Sequence, residues 1–231
     1  MFRALLPTLL VACQAGGPQT VTLSGTAFVF GGQGEPVVGA RVGIAEWPEI
    51  VVTTDDLGHY AVELPAGAEA TPWAEADGFA PMYLQTFTPD SDLDQANMQL
   101  VFSELVEVYA ILAGTELDPD TCQIASTVSR AEIQGLSMDD FVAVGDHGIE
   151  GAIGWGLPEL PQPLYTSEFG SPDLGLAGTS LDGGVLWGNV EPGVYEVRAE
   201  HPDHTIDTFV ATCRPGRFIN AGPPWGLREL L

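Results

Sequence analysis

The chain predicts an all-β fold: two antiparallel β-sandwich domains joined by a short helix. Three observations predict it. Apolar and polar residues alternate with period two over short segments, separated by Gly- and Pro-containing turns at roughly 8–12-residue spacing. The period changes to that of a helix near residue 103. A pattern of threonine, turn acid, glycine and strand occurs twice, about 125 residues apart.

The first strand carries Val21, Leu23, Ala27 and Val29 on one face and Thr22, Ser24 and Thr26 on the other. Gly31-Gly32-Gln33-Gly34-Glu35-Pro36 is a turn. Residues 41–45 and 50–54 are further short strands. Asp55-Asp56-Leu57-Gly58 has its acid and glycine where turns favour them. Tyr60, Val62 and Leu64 then alternate with Ala61 and Glu63, and Pro65-Ala66-Gly67 stops the strand. Residues 70–76 and 83–87 complete this unit.

A helix is expected over 103–113. Ser103 is its expected cap, Glu104 and Glu107 favour its N-terminal dipole, and Leu105, Val108 or Tyr109, and Leu112 fall at helical spacing. Gly114 is the stop, and Glu116 to Asp120 an acidic linker. Strands are then expected over 123–128, 141–144, 152–155, 185–187, 194–199 and 205–212. Residues 156–178 are a long Gly-, Pro- and Ser-rich loop. The tail from Phe218 to Leu231 contains Pro223-Pro224-Trp225 and is expected to lie against the second domain.

The repeat pairs Thr54-Asp55-Asp56-Leu57-Gly58 with Thr179-Ser180-Leu181-Asp182-Gly183. Each is followed by a strand and a Pro-x-Gly or Pro-Gly stop, Pro65 to Gly67 and Pro192-Gly193. Gly34-x-Pro36-Val37-x-Gly39-Ala40-x-Val42, then Thr53-Thr54-Asp55-x-x-Gly58-x-Tyr60 and Leu64-Pro65-x-Gly67, resembles the carboxypeptidase regulatory-like domain. Ala76-Asp77-Gly78-Phe79-x-Pro81 is similar to the segment that commonly follows. The resemblance covers about residues 20–90. It implies a transthyretin-like (prealbumin-like) seven-stranded sandwich in an extracytoplasmic setting, and no reaction. The second half matches around 179–200 and shows no clear copy of the Pro-x-x-Gly-Ala opening.

Composition narrows the function. The 231 residues carry 32 acids against 7 arginines, with no lysine, for a formal charge of −25. No basic patch for nucleic acid can be assembled from them. With 45% hydrophobic residues, 28 Gly and 18 Pro, the chain has ample apolar material to bury. Arg3 followed by an apolar stretch from Ala4 to Ala12 reads as an export signal, too short for the roughly 20 residues that span a bilayer. Leu10-Val11-Ala12-Cys13 resembles the lipobox of bacterial lipoproteins. That resemblance implies acylation of Cys13 and, with Gln14 next, an outer-membrane address. Without Arg3, 6 arginines against 32 acids leave −26, so anionic membrane surfaces repel the body and the lipid anchors it alone. Of three cysteines, Cys122 and Cys213 remain as a pair for a disulfide in an oxidising compartment, or as two buried thiols. The expected organisation is a signal (1–12), a lipidated tether (13–19), a regulatory-like sandwich (20–102), a helix and linker (103–120) and a second sandwich (121–231).

Candidate chemistry is sparse. His147-Gly148-Ile149-Glu150 spells the His-x-x-Glu zinc pairing, but the large catalytic unit such enzymes use has no room here, and zinc needs a further ligand. His201-Pro202-Asp203-His204 is a second metal candidate, set against a solvated turn. Asp90-Ser91-Asp92-Leu93-Asp94 starts like a calcium loop, but Gln95 and Val101 stand where Gly and Glu belong. No nucleophile elbow or phosphate loop is present. Trp47 and Trp225, beside prolines, are expected to be exposed and are candidates for stacking on a ligand; Trp73 and Trp187 are expected in the core. The expected function is a non-enzymatic, membrane-tethered interaction or structural module of the bacterial envelope, with an unidentified envelope protein or glycan as partner. A carbohydrate-binding lipoprotein is the alternative, and a metal-dependent hydrolase a remote third. No cofactor is expected.

Overall fold

Alternation turns into burial along the strands. Tyr60, Val62 and Leu64 are buried while His59, Ala61 and Glu63 face solvent. The computed structural model describes residues 19–231, so Cys13 and the signal it follows lie outside the described residues. The first half contains β1 (Thr20–Val29), β2 (Arg41–Ile44), β3 (Trp47–Thr53), β4 (His59–Pro65), β5 (Pro72–Glu75), β6 (Met82–Tyr83) and β7 (Met98–Leu100). Helix α1 (Ser103–Leu112) and β8 (Cys122–Thr127) follow, then α2 (Met138–Val144), β9 (Ile153–Leu157), β10 (Leu164–Thr166) and β11 (Pro172–Asp173). The chain ends with β12 (Gly184–Val190), β13 (Gly193–Glu200), β14 (Phe209–Cys213) and β15 (Phe218–Ala221).

The protein is all-β in its framework. Two three-stranded sheets, β4-β1-β7 and β14-β13-β9, accompany one nine-stranded sheet in the order β11-β10-β12-β8-β15-β6-β5-β2-β3. Two hydrophobic clusters form, one around Leu23, Val42, Leu64 and Met98, the other around Ile124, Val185, Trp187 and Val197. The long sheet runs through both halves because β15 lies parallel to β6 on one side and to β8 on the other.

The sequence repeat is a repeat of hydrogen bonds. Buried Thr54 donates its hydroxyl to the Val37 carbonyl (2.7 Å) and accepts from the Ala40 amide (2.9 Å). Buried Thr179 does the same with the Ile149 carbonyl (2.5 Å) and the Ala152 amide (2.9 Å). The backbone repeats as well: Thr54 N to Ala40 O and Gly39 N to Thr54 O correspond to Thr179 N to Ala152 O and Gly151 N to Thr179 O. Gly58 and Gly183, both at φ 77°, accept alike through their carbonyls, from the Ala27 and Val128 amides at 2.8 Å. A Cβ at either would meet the Ala27 or Val128 carbonyl, so glycine is required twice over. Gly151-Ala152 is therefore the counterpart of Gly39-Ala40 that the sequence did not disclose.

Strand pairing follows the same correspondence. β1 pairs β4 antiparallel and β7 parallel; β8 pairs β12 antiparallel and β15 parallel. The halves depart at one place. β3 forms a hairpin with β2, whereas β10 and β11 cross over to extend the sheet beside β12.

Several expected elements are corrected. Residues 141–144, expected as a strand, belong to α2, because Ser137 caps the turn by accepting from the Asp140 amide at 3.2 Å. Residues 156–178 are not all loop, since β10 and β11 lie within them. Ser103 does not cap α1: Phe102 holds that position with no side-chain cap, and the Ser103 amide donates to the Gly78 carbonyl at 3.0 Å. The C-terminal tail does not lie against the second half alone. It supplies β15 to both halves, and Trp225 packs on the first-half cluster.

Cys122 and Cys213 form a disulfide, with Cα atoms 5.7 Å apart. It joins the first residue of β8 to the last of β14 and so ties the nine-stranded sheet to its three-stranded partner. Replacing both cysteines by alanine is expected to destabilise the fold by roughly 3–5 kcal/mol. Denaturant unfolding of the variant, and of the native chain with and without reductant, measures this; equal midpoints would refute it.

Candidate functional site

Helix α1 crosses the outer face of the nine-stranded sheet. It ends where Gly114, at φ 67°, donates to the Ile111 carbonyl and Thr115 to Ala110, the pairing of a Schellman stop. Val106, Ala110 and Ala113 face the sheet, one position round from the stripe the sequence suggested; Val108 and Leu112 are 46% and 49% exposed. Opposite them, β8, β10, β12 and β15 present Ala125, Leu164, Gly188, Leu186 and Phe218. The short side chains of Ala110, Ala113 and Ala125 and the bare Gly188 leave a cavity of about 150 Å³ between helix and sheet.

Asp182, His147, Thr166 and Tyr109 stand on its wall. Asp182 accepts from the Thr166 hydroxyl. Burial pushes its carboxyl up, and the bonds from Thr166 and the Gly184 amide, with the nearby His147, act against that rise. The Tyr109 hydroxyl donates to the Gly170 carbonyl at 2.9 Å, and burial, then the Asp182 charge, push its pKa up. His147 stacks on Phe141, with ring centroids 3.9 Å apart. Its Nε2 lies 2.7 Å from the Phe141 carbonyl, which can only accept, so Nε2 carries the proton.

The sequence reads Asp182 as a turn acid, and the first-half copy shows that it is not. There Asp55 accepts from the His59 and Leu57 amides, which hold its carboxyl down. In the second half Ser180 takes that place, its hydroxyl accepting from the Asp182 amide at 3.2 Å. Asp182 corresponds to Leu57, a residue 64% exposed. The serine two positions ahead is the signal that frees the acid from the turn.

The other expected site residues lie apart. His147 is held by Phe141, and Glu150 is exposed in the turn of the repeated threonine bracket. His204 pairs with Glu229 at 2.6 Å, and the Ala131 amide followed by His204 holds that carboxylate down. The His201 ring sits 4.7 Å from that of His204. Asp92 and Asp94 accept from the Thr22 amide and the Ser24 hydroxyl of β1. Among the described residues no three His, Cys, Asp or Glu converge as metal ligands. Trp47 and Trp225 are both half-buried. Trp47 donates to the Glu69 carbonyl (3.2 Å) from the edge strand β3; Trp225 donates to the Gln95 carbonyl (2.9 Å), meets Phe87 edge-on and lies under Arg228. Trp187 is buried as expected, whereas Trp73 is half-buried beneath Arg41. No helix among the described residues is long and apolar enough to cross a membrane.

No family model matches the chain and no curated protein is similar to it. Among solved structures, a minor pilin of Streptococcus agalactiae is 8% identical over 91% of this chain and 97% of the pilin, with a TM-score of 0.30. The Bacillus anthracis TIE protein is 13% identical over 92% of this chain, with a TM-score of 0.28, and this chain spans 34% of its length. A shaft pilin of Lactobacillus rhamnosus GG is 12% identical over 92% of this chain and 99% of the pilin, with a TM-score of 0.26.

The Asp182 wall is a stability liability at neutral pH. Its carboxyl titrates higher in the fold than in the unfolded chain, so the stability of the neutral acid is present below about pH 4 and lost as pH rises through the folded value. Asp182→Asn, which stays neutral, is expected to unfold at a higher temperature than the native chain at pH 7. That difference closes as pH falls below about 4. Thermal unfolding across pH 3 to 8 (roughly the range bracketing carboxylate titration) decides it; a lower midpoint for the variant at pH 7 would contradict the assignment.

Proposed function

We propose that the protein is a lipid-anchored lipoprotein of the bacterial envelope, on the outer membrane, that works without catalysis as an extracytoplasmic interaction and structural module. On this reading residues 20–102 and 121–231 are two transthyretin-like sandwiches joined through 103–120. The motif residues of the regulatory-like resemblance support it: Gly39, Ala40, Thr54 and Gly58 make the bracket that Gly151, Ala152, Thr179 and Gly183 repeat. The disulfide fits an oxidising compartment.

The observation that carries the interaction reading is the outward face of α1. Val108, Ile111 and Leu112, at i, i+3 and i+4, are 46%, 75% and 49% exposed on a helix whose other side is already seated on the sheet. Tyr109 ties the neighbouring loop to the helix through Gly170, and that loop exposes Phe169 by 86%. Apolar side chains gathered this way on a fixed element mark a protein-binding surface.

Two measurements test the proposal. Cys13→Ser is expected to abolish incorporation of labelled fatty acid and to move the protein from the membrane to the soluble fraction; unchanged labelling removes the anchor. Lipidated protein extracted gently from native envelopes is expected to carry a stoichiometric partner. Ile111→Asp is expected to weaken its retention by about tenfold or more, roughly 1.4 kcal/mol, without changing the unfolding midpoint. Full retention by the variant would place the contact elsewhere, and absence of any partner would sink the interaction reading.

A further inference from the structure

The cavity beneath α1 has one acid and no fixed cation. The chain contains no lysine. Each of the six arginines among the described residues is already paired with an acid other than Asp182: Arg41 and Arg217 with Glu75, Arg130 with Glu132, Arg198 with Glu196, Arg214 with Glu46 and Arg228 with Asp207. Of the wall's hydrogen-bond donors, Thr166 already serves Asp182, Tyr109 is committed to Gly170, and His147 gives its Nε2 proton to Phe141. Gln99, Thr115, Gln123, Ser126, Thr127 and Asn220 are the other polar residues of the wall, with Ser126 given to the Ala221 carbonyl and Asn220 to the Gln99 carbonyl, and Val106, Ala110, Leu164, Leu186 and Phe218 make part of its apolar lining.

The internal duplication shows that this acid is not needed by the fold. The same turn closes in the first half with Leu57 in the position of Asp182, and in the second half with Ser180 making the turn's own hydrogen bond. A carboxylate placed on a partly apolar wall, unnecessary to its turn, paired with none of the arginines and with only the His147 ring nearby, is matched by a counter-charge brought from outside.

We propose that this cavity binds a small apolar primary amine, its hydrocarbon between α1 and the sheet and its ammonium on Asp182. The size fits: a cavity of about 150 Å³ accepts one benzene-sized group. An acid group on the ligand is repelled by Asp182, and a neutral alcohol forgoes the ion pair. The inference stands apart from the anchoring and partner reading above, since it concerns the covered side of α1 and not its exposed side.

The test uses the chain from residue 14 onward and three probes of one shape: 2-phenylethylamine, 2-phenylethanol and phenylacetate. Titration calorimetry at neutral pH, and chemical shifts of residues around the cavity, give affinity and place. The amine is expected to bind at least about tenfold more tightly than the alcohol, and phenylacetate more weakly than either. Asp182→Asn, a neutral near-isostere, is expected to erase the amine's advantage while leaving the alcohol's affinity unchanged. Leu186→Trp, which fills the cavity, is expected to remove both. Equal binding of amine and alcohol, preference for the anion, absence of binding by all three, or retention of the amine's advantage in Asp182→Asn would each overturn the proposal. So would undiminished amine binding in Leu186→Trp.

Discussion

Everything in the molecule hangs on β15. Four residues near the C-terminus lie between β6 and β8, parallel to both, and turn two sheets into one. Ile219 at its centre is fully buried. Without this strand β6 and β8 would each show an unpaired edge, open to pairing with another chain. Side chains follow the backbone across the same line. Asn220 donates to the Gln99 carbonyl, Gly226 to the Gln85 side chain, and the hydroxyls of Thr71, Thr86 and Thr212 form a chain with 2.8 and 2.7 Å links. Arg214–Glu46 and Arg217–Glu75 also span the two halves, but part-exposed pairs of this kind contribute at most about 1 kcal/mol each. The strand, not the charges, holds the halves in register.

The duplication explains where a site could arise. Both halves use the same threonine bracket, the same left-handed glycine and the same pairing of the first strand, antiparallel to the strand after the glycine turn and parallel to the last. What the bracket needs is fixed in both copies and free to carry nothing else. The differences lie together on one side. The segment after β9 switches sheets to become β10 and β11, α1 comes down over the face this widens, and the turn acid moves from position 55 in one copy to 182 in the other. The cavity is the volume enclosed by these departures.

The sequence made the framework legible wherever one face of a strand is buried and the other wet. β1, β4 and β13 show their alternation directly, and the glycine turns between strands are visible because a positive φ admits little else. Short strands are different. β7 and β15 are three and four residues long, buried by neighbours distant in sequence, and no local pattern announces them. α2 was misread because Phe141-Val142-Ala143-Val144 has strand-like composition, while Ser137, four residues earlier, decides its conformation. The face of α1 is legible only in part: Tyr109 of the apolar stripe lines the cavity together with Val106, Ala110 and Ala113, while Val108 and Leu112 stay outside. Asp182 was visible only once the two turns were laid side by side.

Charge gives the last step. In a body with 32 acids and 6 arginines, most carboxylates have no cation and need none, because water solvates them. Asp55, exposed and bonded to two amides, is such a case, and the fold favours its charge. Asp182 is the opposite case: the fold disfavours its charge. Selection for solubility alone fills an exposed turn position and has no use for a part-buried one. Destabilising groups kept at the wall of a cavity are what binding sites contain, since the same desolvation that weakens the free protein strengthens the bond to an incoming opposite charge. The position of that one acid, unlike the overall acidity, is therefore what a demand for solubility leaves unexplained.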